Sequence, residues 1–217
     1  MKVYILGAGG MAREALDILI DLGRKDDVLG FLEDDSKRVG TLLNEKRIDD
    51  ISLLGSENTN TVKLIPAIGT PLRRHLIERT KAMGYGFDTV VHPSVIKSKW
   101  VSFGEGCIIC AGSIFTTQVM LKDYVIVNLA CTVSHDVRIG SYTTISSGVN
   151  ISGKVTIGDG CFIGTNVAIR DRVSIGNNVM IGAGATVTRD IPDNVLAVGV
   201  PAEPKRLLNE IEWKNLV

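Results

Sequence analysis

The sequence predicts a small α/β domain followed by a parallel β-helix, and three observations predict it. From Phe103 to Val187 a large apolar residue returns at every sixth position without a break: Phe103, Ile109, Phe115, Leu121, Val127, Val133, then Ile139 and every sixth residue to Ile181, and Val187. Four positions after these stops runs a second comb of small or β-branched residues, from Val119 through Cys131, Thr143 and Cys161 to Ala185. Glycine follows the first comb repeatedly, as in Ile139-Gly140, Ile157-Gly158 and Ile175-Gly176. A period of six suits neither an amphipathic helix nor long alternating strands. It suits short strands joined by tight turns, with one large and one small side chain pointing inward per repeat. Three such strands close a triangular coil, and successive coils stack by strand pairing at roughly 4.8 Å.

The first 90 residues lack the period. Lys2-Val3-Tyr4-Ile5-Leu6 reads as a strand that runs into Gly7-Ala8-Gly9-Gly10-Met11-Ala12, and an amphipathic helix follows with a stop at Gly23. Gly7-x-Gly9-x-x-Ala12 is the turn that cradles a phosphate, because glycine allows close backbone approach and a helix start offers free N–H groups. A second strand, Val28 to Leu32, ends in Glu33-Asp34-Asp35, where a ribose or base would lie. Further strands are expected near Thr61–Ile68 and Phe87–Val91, with a helix from about Leu72 to Met83. That makes only a half-sized sheet. A dinucleotide needs two mononucleotide-binding halves, so one nucleotide is the expected ligand and hydride transfer is disfavoured.

His92-Pro93 marks the passage into the coils, giving domains at 1–90 and 91–217. Lys97 stands where the comb wants an apolar residue, which suits a terminal repeat that caps the core. After Ile191-Pro192 the period stops, and Val195 to Val200 is a last apolar run. Gly199-Val200-Pro201-Ala202 reads as a turn, and Pro204 to Trp213 as a short helix carrying Lys205 and Arg206.

The 217 residues carry 24 Lys plus Arg against 24 Asp plus Glu, so no global basic field points to nucleic acid or a membrane surface. No apolar run is long enough to span a bilayer, and no signal peptide is expected. Cys107, Cys131 and Cys161 fall on the small-residue comb as buried thiols. Cys107-x-x-Cys110 has no second pair for zinc, and a reducing cytoplasm is the matching setting.

A regular coil is a scaffold, so chemistry must come from side chains that break its pattern. Of three histidines, His75 and His92 read as ordinary surface. His135 lies two residues past the inward Val133 and two before the inward Val137, so it points outward at a corner beside Asp136. Histidine suits proton transfer near neutral pH. Gly153 lies one 18-residue coil above it, and a backbone N–H there is placed to hold an oxyanion. Asn128, near the preceding corner, can meet an acceptor. Zinc would need histidines converging from nearby coil positions, and only His135 lies inside the regular coils, so no metal is expected.

Together these residues resemble the bacterial hexapeptide-repeat sugar acetyltransferases, the N-acetyltransferases of nucleotide-linked 4-amino sugars and the sialic acid O-acetyltransferases. The resemblance spans the chain through Gly7-Ala8-Gly9-Gly10, Phe31-Leu32-Glu33-Asp34, Ala67-Ile68-Gly69, His92-Pro93-Ser94, the hexapeptide array, Ser134-His135-Asp136 and Gly199-Val200-Pro201-Ala202. It implies a left-handed β-helix, a homotrimer, and acetyl-CoA lying between neighbouring β-helices. It implies His135 as general base, Asp136 as its orienting acid and the Gly153 N–H at the thioester carbonyl. Thr165 and Ala183 would line the coenzyme groove with Lys205 nearby. Gly7, Gly9, Gly10, Met11, Glu33, Asp34, Gly69 and Asn128 would hold the nucleotide-linked sugar. This chain has Met11 where many relatives carry His or an aromatic residue, and Asp136 where Glu is common. The expected activity is acetyl-CoA-dependent N-acetylation of a nucleotide-linked 4-amino-4,6-dideoxy sugar for surface glycans. The alternatives are O-acetylation of sialic acid or a related sugar, and a non-catalytic trimeric nucleotide-binding scaffold.

Overall fold

Every stop of both combs is buried except Phe103, which is partly covered, and together they form one aliphatic core running the length of the coils. The structure, a computed structural model, describes residues 1–35 and 37–208. Each repeat contributes a two-residue strand whose second residue points inward, and strands one coil apart pair in parallel, as Ile114 with Ile96 and with Thr132. Three faces result. The first has eight strands and starts at Val90–Val91; the second has six and starts at Ile96–Lys97; the third has five and starts at Ser102–Phe103.

The corners need left-handed backbone. Between the second and third faces, Gln118, Asp136, Lys154 and Arg172 all have φ between +56° and +61°. For a residue with a Cβ this conformation costs about 1–2 kcal/mol. Backbone bonds offset it: the Asp136, Lys154 and Arg172 N–H groups donate to Thr117, His135 and Gly153 carbonyls at 3.1, 2.8 and 3.0 Å. At the base of the prism, Lys97 is exposed and its Nζ lies 5.8 Å from the Phe103 ring, so an amphipathic stem shields the end of the core.

In the N-terminal domain, β1 (Lys2–Leu6) leads into α1 (Gly10–Asp21), then β2 (Val28–Glu33). The hairpin of β3 (Leu42–Leu43) and β4 (Lys46–Asp50) follows, then β5 (Val62–Pro66) and α2 (Arg74–Ala82). The sheet order is β3-β4-β2-β1-β5. One expected strand goes elsewhere. Phe87 touches Leu64 through a single bridge, and Val90–Val91 pairs with Ile108–Ile109 in the coil. The fourth parallel strand is β4, which the sequence hides because only Ile48 of its five residues is buried.

The C-terminal helix expected from Pro204 is also corrected. Glu203–Leu207 is an antiparallel strand against Val195–Val198, and Leu208 N–H donates to Asn194 O at 2.8 Å. The last strand of the first face offers an unpaired edge, and the Gly199–Ala202 turn folds the chain back onto it. Residues 209–213 of that expected helix lie outside the described residues.

The α/β domain sits on the first face. Its α1 packs Ala12, Ala15, Leu16 and Leu19 into one cluster with the outward-facing Val90, Ile108, Cys110 and Ile126. On the other side of the sheet, Leu64, Ile77 and Phe87 meet Tyr124 and Tyr142 at the corner between the third and first faces. His92, expected as plain surface, latches the two parts. Its Nε2 lies 2.8 Å from Asp21 Oδ2 at the end of α1, and its Nδ1 lies 2.8 Å from Ser94 Oγ in the first coil.

Candidate active site

The turn Ser134-His135-Asp136 forms the corner between the second and third faces, with Val133 and Val137 buried on either side. The left-handed φ of Asp136 (+61°) turns its carboxylate back onto its neighbour, and Asp136 Oδ2 lies 2.8 Å from His135 Nδ1. A carboxylate only accepts, so Nδ1–H donates, and in the neutral imidazole the lone pair is then on Nε2. Both side chains are about half exposed, at 53% and 47%, so a substrate can reach them.

Gly153 sits against the imidazole. A Cβ built there would lie 2.6 Å from both Cε1 and Nε2 of His135, closer than any real contact. The ring therefore lies flat on the next coil, and only glycine leaves room for it. The flanking Ser152 and Lys154 N–H groups donate to Ile169 O and His135 O, whereas the Gly153 N–H finds no acceptor among the described residues. A base with a free lone pair and an open N–H thus share one spot. A groove of about 660 Å³ runs beside it on the third face, lined by Trp100, Met120, Asp136, Arg138 and Lys154.

Other expected site residues stand elsewhere. Asn128, Thr165 and Ala183 line the corner between the first and second faces. Asn128 lies there beside Cys110, and Gly184 N–H donates to Thr165 O at 2.8 Å in a vertical stack. Lys205 is on the C-terminal hairpin, 3.3 Å from Glu203. Among the described residues no hydrogen bond or ion pair joins this set to His135.

At the nucleotide turn, Gly7 has φ +91° and donates its N–H to Leu32 O at 2.8 Å. A Cβ on Gly7 would lie 2.9 Å from Ile68 Cγ1, so this glycine is needed by the fold itself. Gly9 and Gly10 are different: a Cβ on either meets nothing within 4 Å. Gly9 caps α1 without any side-chain bond, so no capping side chain satisfies the first N–H groups of the helix. Met11 points into the core with its Cβ under Gly69, which leaves it only a backbone N–H to offer a ligand. The acidic pair is held by arginines: Asp34 takes two bonds of 3.2 Å from Arg79, and Glu33 lies 3.6 Å from Arg38, whose guanidinium also donates to Ala8 O. Sequence reasoning missed both arginines, since nothing in the local pattern links Arg79 to a strand end 45 residues earlier.

The cysteines take no part. Burial pushes the Cys107 and Cys131 thiols up to about 11 and Cys110 and Cys161 up to about 12, so none is a thiolate nucleophile near neutral pH. Cys110 lies outside the coil, under α1. Among the described residues no group of three or more His, Cys, Asp or Glu converges to hold a metal ion, and no helix is long and apolar enough to cross a membrane.

Comparison with known proteins places this geometry in context. Residues 2–80 match the PglD N-terminal domain, and residues 154–189 match the bacterial transferase hexapeptide (six repeats). The chain is similar to the acetyltransferase domain of PglB from Neisseria gonorrhoeae FA1090, with 32% identity over 94% of this chain and 99% of that one, at a TM-score of 0.88. It is also similar to PerB from Caulobacter crescentus, solved with CoA and GDP-perosamine, with 30% identity over 95% and 98% of the two chains and a TM-score of 0.87. WeeI from Acinetobacter baumannii AYE is 25% identical over 94% of this chain and 100% of that one, with a TM-score of 0.86. A galactoside O-acetyltransferase from Lactococcus lactis subsp. lactis (strain IL1403) is 53% identical over 34 residues, and this match spans only 16% of that relative's length.

Proposed function

The chain belongs to the hexapeptide-repeat acetyltransferases with a PglD N-terminal domain, and on that premise we propose that it moves the acetyl group of acetyl-CoA onto the amine of a nucleotide-linked 4-amino-4,6-dideoxy sugar for surface-glycan synthesis. The observation that carries this reading is the imidazole of His135 packed against Gly153, whose N–H has no acceptor among the described residues. The amine attacks the thioester carbon, and the new oxyanion is held by Gly153 N–H. His135 Nε2 takes the proton lost by the amine while Asp136 holds Nδ1–H and supports the imidazolium. As the C–S bond breaks, the same proton passes to the departing thiolate, so the base is restored. That relatives were solved with CoA, acetyl-CoA and GDP-perosamine supports the choice of co-substrate and acceptor class. The deciding assay measures coenzyme A release with a panel of UDP-, dTDP- and GDP-linked 4-amino sugars, their 4-hydroxy counterparts and sialic acid. Turnover confined to amino sugars is expected; turnover confined to hydroxyl acceptors would overturn the reading.

Residues 1–90 bind the nucleotide in this reading, with Gly9, Gly10 and the backbone of Met11 at the diphosphate, Glu33 and Asp34 at the ribose or base, and Gly69 closing the pocket; residues 91–217 carry the chemistry. Because Gly9 faces open space, Gly9→Val fits the empty fold and fills only the ligand's place. Acceptor affinity should drop by at least tenfold, read by calorimetry, with acetyl-CoA affinity and melting temperature unchanged. Equal losses for both substrates would make the turn structural.

The enzyme works as a homotrimer in the cytoplasm. The four free thiols and the supply of acetyl-CoA support the setting. The corners support the assembly. The α/β domain covers the first face, whereas His135 stands on the corner that this face does not touch. Asn128, Thr165 and Ala183 lie on a different corner, so one copy's His135 edge against the next copy's Asn128 edge completes a site that neither holds alone. Exposed Ile96, Trp100, Ile114 and Met120 on the second and third faces supply apolar surface for that contact. Light scattering at assay concentration should give three times the monomer mass. A fully active monomer would remove the shared site.

A further inference from the structure

Arg73 has no role in the reaction described above, yet it is the one charged side chain that is buried among the described residues. Only 1% exposed, it stands at the start of α2 and drives its guanidinium into the β-helix. Nη1 donates to Thr144 Oγ1 at 2.8 Å, and Nη2 donates to the carbonyls of Tyr124 and Thr143 at 2.6 and 3.0 Å. No carboxylate is among the groups that act on it, and Nε has no hydrogen-bond partner among the described residues. Desolvation pushes its pKa down to about 9, yet the group keeps its charge at neutral pH. A buried cation without a counter-charge is a poor way to gain stability, because apolar side chains of similar volume often serve as well or better.

Its value lies in direction. Besides apolar clusters and stacked rings such as Tyr124 on Tyr142 at 5.1 Å, which are non-directional, the two domains meet through His92 on Asp21 and the Tyr142 hydroxyl on Glu78, but of these directed contacts only the Arg73 bonds are fully buried. A planar guanidinium bonded to three acceptors in two adjacent coils fixes both rotation and height. Thr144 opens the first-face strand of the coil that carries Gly153, and Thr143 stands at the corner just before it. Four residues before Arg73 lies Gly69, in the loop whose Ile68 packs on Gly7 of the nucleotide turn. Arg73 thus hydrogen-bonds the catalytic coil from a position four residues along the chain from Gly69.

We propose that Arg73 is a positioning residue that sets the orientation of the nucleotide-binding domain on the β-helix, and thereby the placement of the bound sugar amine at the reaction centre, rather than a residue kept for stability. The kinetic part rests on the acetyltransferase reading above; the structural part does not. In Arg73→Met, kcat toward the nucleotide-linked 4-amino sugar that the wild-type enzyme acetylates should fall about 10- to 100-fold, as small misplacements of reacting groups do. KM for both substrates should stay within about twofold and the melting temperature should not fall. Hydrogen exchange of α2 amides should quicken about tenfold, with amides beyond residue 150 unchanged. Arg73→Lys keeps the charge but cannot bridge three acceptors, and should show the same signature more weakly.

A lower melting temperature with wild-type kcat in the folded fraction would overturn the proposal, as would a rise in acceptor KM with kcat unchanged. So would failure of both variants to fold, since Arg73 would then serve stability. If the wild-type enzyme acetylates no amino sugar, the reaction assigned above fails, and α2 exchange in Arg73→Met still decides the orienting role: unchanged exchange overturns it.

Discussion

His135→Ala should lose about 10²–10⁴-fold in kcat while acetyl-CoA binding is kept. That range corresponds to roughly 3–5 kcal/mol of transition-state stabilisation, the share a positioned base supplies. The fold should not notice. The imidazole is half exposed, and its one side-chain bond among the described residues is to Asp136, itself half exposed, so the melting temperature should stay within a degree or two. Asp136→Asn should be milder, because it weakens the hold on Nδ1–H without removing the base. The measurement is steady-state coenzyme A release with purified, folded variants. Near-wild-type kcat in His135→Ala would end the mechanism.

Gly153→Ala should cost at least 10²–10³-fold in kcat through a single methyl group. The added Cβ would sit 2.6 Å from His135 Nε2, so the ring must leave its seat and the methyl then shades the N–H that holds the oxyanion. The backbone at Gly153 is not left-handed, so alanine is tolerated there and stability should hold or rise slightly. Gly158→Ala is the contrasting control. Its Cβ would meet Gly176 O at 2.5 Å, a backbone atom of the next coil that cannot swing away, so that variant should lose stability instead. If Gly153→Ala kept wild-type kcat, the stack of ring on glycine would have no catalytic meaning.

The two glycines show what could be read in advance. Both follow from the same period of six, and the sequence distinguishes Gly153 only because a histidine lies 18 residues before it. The coil, its core, the outward His135 and the turn at Gly7–Gly10 were legible because each is a local or strictly periodic signal. β4 was not, since a strand of Lys, Arg, Ile, Asp and Asp carries a single buried side chain and has no alternation to detect. The C-terminal strand was misread as a helix for a related reason. Its conformation is set by the free edge of Val195–Val198, a partner that no local pattern announces. His92 needed Asp21, 71 residues away, and Asp34 needed Arg79.

The sequence by itself determined the periodic half of the molecule, because an uninterrupted repeat specifies its own register: each coil pairs with a copy of the same pattern, and every inward side chain is dictated by phase. Tertiary structure alone decided how the two domains meet. The 18-residue stack already brings His135 and Gly153 together and leaves Asn128 near the preceding corner, but Arg73 is buried only because α2 closes over the coil. Those relations depend on contacts between segments with unlike patterns. Their energies come from shape and directed hydrogen bonds across the interface, which no stretch of sequence carries alone.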